Sequence, residues 1–96
     1  MNVVYTEPAL ADLEEIAAWL SEHYPGLGRT VEHRLKIVVA HIAQWPESMR
    51  RSTRWPDVRV APLGRFPYKI FYSVREDTIE ILHIHHASRR PWDEEE

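Results

Sequence analysis

The sequence contains no cysteine, so neither a disulfide framework nor a thiolate metal site is open to it. It has no apolar run long enough to span a bilayer: Ile37-Val38-Val39-Ala40 is hemmed in by Lys36 and His41. The opening Met1-Asn2-Val3-Val4-Tyr5 lacks the basic start of a secretory signal. A soluble, cytoplasmic protein is the expectation. There is no internal repeat and no low-complexity tract. At 96 residues the chain reads as one domain, residues 1–92, able to bury roughly 60–70% of its unfolded surface without staples. The acidic end, 93–96, is expected to be mobile.

The net charge of −3 conceals a division. Residues 1–49 hold three basic and seven acidic side chains, whereas residues 50–92 hold nine basic and four acidic ones. The basic half suits a polyanion or an acidic partner segment. This marks Arg50, Arg51, Arg54, Arg59 and Arg65, with Trp55 and Trp92, as candidates for binding.

Strand signals concentrate in that half. Phe66, Tyr68, Ile70, Tyr72 and Val74 alternate as on a strand with one buried face, leaving Lys69, Phe71 and Ser73 on the other. Arg75-Glu76-Asp77 interrupts the pattern before it resumes over Thr78 to His86, as a hairpin connection does. Val58 and Val60 give a shorter strand joined through Pro62-Leu63-Gly64-Arg65, so a three-stranded antiparallel meander is expected.

Residues Val3 to Tyr5 read as a short strand, and Thr6 as the N-cap of a helix with Glu7 and Pro8 in its first turn. Ala9, Leu10, Leu13, Ile16, Ala17, Leu20 and Tyr24 form that helix's apolar stripe, with Asp12 among the charges lying off it. Pro25-Gly26-Leu27-Gly28 ends the helix. A second helix is expected from about Arg29 to Gln44, with Val31, Leu35, Val38, Val39 and Ile42 on one face and Trp45-Pro46 as its stop. Residues 46 to 57 read as a loop. The result is an α+β fold of order β-α-α-β-β-β, an antiparallel sheet with a helical hairpin on one face.

In this order and spacing the chain resembles the RelE/ParE superfamily of type II toxin–antitoxin toxins. The likeness is carried by Ala11-Asp12-Leu13-Glu14-Glu15-Ile16, Trp45-Pro46, Val58-Arg59-Val60, Gly64-Arg65-Phe66-Pro67-Tyr68-Lys69-Ile70-Phe71-Tyr72 and the run from Ile79 to Arg90. It implies a toxin held in a hetero-oligomer by a cognate antitoxin, with no cofactor. RelE-like members cut messenger RNA on the ribosome, and ParE-like members inhibit DNA gyrase without a nuclease site. The long helical hairpin, and arginines where RelE-like proteins are rich in lysine, favour the ParE-like branch and gyrase as the target.

Metal-independent cleavage of RNA needs a base for the 2′-hydroxyl, cations for the phosphate and an acid for the leaving oxygen. By resemblance, Lys69 and Arg89 or Arg90 would be the cations. The family nucleases carry a C-terminal Tyr, but here Pro91-Trp92 follows and no Tyr lies beyond Tyr72. The acid role would then fall to a histidine, His83 or His86 among them. His83 and His85 share one strand face, yet no carboxylate has matching spacing, so no metal site is expected.

Overall fold

The computed structural model describes residues 1–87; Arg89, Arg90, Trp92 and the acidic tail lie outside the described residues. The elements are β1 (Asn2–Tyr5), α1 (Glu7–His23), α2 (Leu27–Gln44), β2 (Arg50–Arg51), β3 (Arg59–Leu63), β4 (Phe66–Arg75) and β5 (Thr78–His86). Thr6 caps α1 as expected: its hydroxyl oxygen accepts from the Ala9 N–H at 3.3 Å and approaches the Ile81 carbonyl at 2.9 Å. The same side chain therefore starts the helix and pins its beginning to β5. After the C-cap Tyr24, Pro25 breaks the helix and Gly26, at φ +94°, turns the chain. α2 begins at Leu27, two residues before the expected Arg29, because Leu27 already packs on the core.

The five strands lie in the order β1-β5-β4-β3-β2. β3, β4 and β5 form the expected antiparallel meander. The sheet as a whole is mixed rather than antiparallel, because β1 pairs with β5 in parallel, Val3 opposite Ile79. The segment read as a loop contains the two-residue strand β2, paired with β3. Buried Ser52 organises the turn beyond β2: its Oγ accepts from the Arg54 and Trp55 N–H groups, each at 3.1 Å.

α1 packs on β5 and α2 on β3, and the two helices touch each other. Between them and the sheet lies the main core, with Leu20, Leu35, Ile42, Ile70, Tyr72, Ile79, Ile81 and Ile84. The apolar stripe of α1 is narrower than its sequence implies. Ala9 and Leu20 are buried and Leu13 and Ile16 half-buried, but Leu10 is 49% exposed and Tyr24 55% exposed. Phe71 points away from the helices as expected, yet it is fully buried, in a small second cluster with Val58, Val60 and Leu82.

One irregularity positions the rest. In the pairing of β4 with β5, Phe71 lies opposite His83 but Tyr72 opposite Ile81, so Leu82 is an extra residue, a β-bulge. Ile79, Ile81 and Ile84 thereby all join the main core. Leu82 and His83 fall together on the face turned away from the helices.

Candidate functional site

That open face has two chemically distinct parts. At the β2–β3 end lies a groove of about 750 Å³ whose lining includes Trp55, Arg75 and Glu80, together with Arg51 and Arg59, which by register belong to the Tyr72 side of the sheet. Arg54 lies over the Trp55 ring, its guanidinium carbon 5.6 Å from the centroid, and Arg75 pairs with Glu80 at 3.7 Å. Arg59 is half-buried: its Nη1 donates to the Met49 carbonyl at 2.6 Å and approaches that of Glu47 at 3.3 Å. It fastens the chain after α2 to the sheet. Arg50 is exposed on β2 beside Arg51. Arg65 is apart from this group, at the β3–β4 turn over the Phe66 ring at 5.5 Å.

At the other side, Lys69 lies opposite His85 in the β4–β5 ladder, and His83 lies opposite Phe71. Directly opposed residues share a face, so Lys69, His83 and His85 come together there. His86 does not join them. Paired with Tyr68, whose ring it meets edge-on at 5.3 Å, it belongs to the helix side. The tyrosine hydroxyls are no closer. Tyr68 and Tyr72 belong to the main core, and the Tyr72 hydroxyl donates to the Pro46 carbonyl at 2.8 Å. Burial pushes the phenols of Tyr5 and Tyr72 above their ordinary range.

One member of this site carries no local signal in the sequence. Asp12, in the second turn of α1, places its Oδ2 where it accepts from the Ile84 N–H at 2.9 Å and lies 3.1 Å from His83 Nδ1 and 3.9 Å from His85 Nε2. β1 pairs with β5 only as far as Ile81. Beyond that point the outer edge of β5 would present an unmatched donor, and Asp12 supplies its acceptor.

A family model described as the ParE toxin of the type II toxin–antitoxin system parDE matches residues 3–91. The chain belongs to the ParE toxin family. It is 34% identical over 89 residues to Toxin RelE2 of Caulobacter vibrioides, covering 92% of this chain and 97% of that one. It is 32% identical to the putative toxin Y4kP of Sinorhizobium fredii, covering 93% and 91%. The fold matches a solved chromosomal ParDE system from P. aeruginosa, with TM-score 0.69 at 22% identity over 92% of this chain and 97% of that one. It also matches the isolated E. coli RelE toxin, with TM-score 0.68 at 21% identity over 92% and 85%. The protein is thus a type II toxin of the RelE/ParE superfamily, a class defined by an antitoxin partner. Among its described residues no helix is long and apolar enough to cross a membrane.

Proposed function

We propose that this toxin arrests growth by binding DNA gyrase rather than by cutting RNA. The observation that carries the reading is the content of the open face: among the described residues its aromatic and basic groups include no tyrosine, because Tyr68 and Tyr72 are turned into the main core. A surface with arginines around a 38% exposed Trp55 is suited to gripping a macromolecule, with the aromatic as anchor and the charges steering approach. Lys69 and His83 on one face support the alternative, a ribosome-dependent ribonuclease. Purified toxin should inhibit supercoiling by gyrase and leave ribosome-bound messenger RNA intact. Cleavage of that RNA, abolished in Lys69→Ala, would establish the alternative instead.

The antitoxin's seat in this reading is a groove of about 740 Å³ between α1 and α2, whose lining includes Leu13, Ile16, Leu20, Val31 and Leu35. An amphipathic segment laid along it would bury Leu13 and Ile16, which the hairpin alone leaves half-covered. Leu13→Ala should then weaken the antitoxin complex about tenfold or more, the loss expected for roughly 1.4 kcal/mol of apolar contact. Unchanged affinity in a folded Leu13→Ala toxin would move the seat elsewhere.

A further inference from the structure

We propose that Asp12, His83 and His85 form a binding site for a divalent transition-metal ion of the zinc class, which ties α1 to the outer edge of β5. One donor atom from each residue lies within 4.8 Å of the others. The two separations from Asp12 Oδ2, 3.1 Å to His83 Nδ1 and 3.9 Å to His85 Nε2, bracket the ligand spacing of a tetrahedral site. With metal–ligand bonds of about 2.0–2.1 Å, that spacing is about 3.3 Å. The two imidazole donors lie within 4.8 Å of one another, so side-chain rotation must draw them together to close the set, and the ion takes the place of the hydrogen bond between Asp12 and His83.

Three further features fit. The donor set is two imidazoles and one carboxylate, the borderline nitrogen and oxygen ligands that zinc-class ions take. The carboxylate is oriented by the Ile84 N–H at 2.9 Å, the kind of outer hydrogen bond that holds a metal ligand in place. Exposure is also intermediate: the side chains of His83, His85 and Asp12 are 24%, 22% and 20% exposed. Three protein ligands at such depth leave a fourth position for water or for a partner's side chain, beside Lys69 on the open face. The gyrase-binding reading makes no use of this cluster, so the two proposals stand or fall separately.

The test is titration of the purified full chain, without a histidine tag, with zinc chloride by calorimetry and with cobalt chloride by visible absorption. One ion per chain is expected, with the intense visible bands of tetrahedral cobalt. A hundredfold excess of zinc over its Kd should raise Tm by about 10 °C or more. His83→Ala and His85→Ala should each weaken binding at least tenfold, as should Asp12→Asn, which retains an acceptor for the Ile84 N–H. His86→Ala, on the other face, should leave binding unchanged. The proposal is overturned by the absence of saturable binding, or by wild-type affinity in His85→Ala with an undiminished Tm. It is also overturned if His33→Ala, on the exposed face of α2, weakens binding as much as the cluster variants do.

Discussion

Tyr72→Phe removes one oxygen from the point where sheet, core and the segment after α2 meet. The Tyr72 side chain is fully buried, its hydroxyl donates to the Pro46 carbonyl at 2.8 Å, and Arg59 beside it donates to Met49 at 2.6 Å. The variant keeps the ring and its packing, so the loss is that of one hydrogen bond plus the incomplete satisfaction of a half-buried carbonyl, about 1–2 kcal/mol. For a domain of this size each kcal/mol lowers Tm by about 4–8 °C. The same substitution has a signature in pH. Burial raises the Tyr72 phenol above its ordinary value, with the Arg59 guanidinium acting in the opposite direction. A phenol with a higher pKa folded than unfolded holds its proton more tightly when folded. Its stabilisation is complete below the unfolded value of about 10 and is lost as pH rises through the folded one. Tyr5 is raised by burial as well and contributes in the same direction. Urea unfolding at neutral pH and through the alkaline range should show Tyr72→Phe less stable at pH 7 and less steeply destabilised above pH 10. Equal stability at pH 7, or an alkaline slope as steep as that of the wild type, would refute this account of the junction.

Ile70→Ala, at a fully buried position in the centre of β4, should cost about 2–5 kcal/mol, whereas Leu13→Ala, half-buried beside the same core, should cost about 1–2 kcal/mol; urea midpoints reversed in order would mean that the helices do not cover the sheet as described. Deleting Leu82 should leave the chain folded with Ile79, Ile81 and Ile84 still inside, at a loss of about 1–2 kcal/mol for its packing against Phe71. Circular dichroism and thermal melting measure this, and an unfolded variant would show that Leu82 is not the extra residue of the ladder.

Much of the fold was legible because its determinants are local. The alternation through Tyr68, Ile70 and Tyr72, the cap at Thr6 and the stop at Trp45-Pro46 each act within a few residues, and all three reappear in the structure. The features that were not legible depend on partners distant in sequence. The parallel seat of β1 on β5 is fixed by bonds such as that from the Thr6 N–H to the Ile81 carbonyl at 3.1 Å, across a separation no periodicity records. Leu10 fits the stripe of α1 as well as Leu13 does, but only a helix fully covered by neighbours would bury it, and α1 rides toward one side of the sheet, over β5, one strand in from the edge.

The candidate site failed to appear in the sequence for a sharper reason, the conjunction of a bulge and a distant carboxylate. Counted by strict alternation from Ile79, position 83 shares the inner face with Ile79 and Ile81, and Ile84 points out. The apolar residues contradict that count, since Ile79, Ile81 and Ile84 are all buried. The doublet Ile81-Leu82 is where the period slips, and a slip of one residue reverses the face of everything after it. His83 is therefore carried out of the isoleucine core to the edge where Asp12 waits, 71 residues earlier in the chain. On α1 itself Asp12 is one more charge off the apolar stripe and carries no local mark of its role. Its partner is an N–H that exists only because β1 stops pairing at Tyr5 while β5 continues to His86. The mismatch in length between two neighbouring strands is thus what creates the demand for a carboxylate, and the bulge is what brings the imidazoles to it.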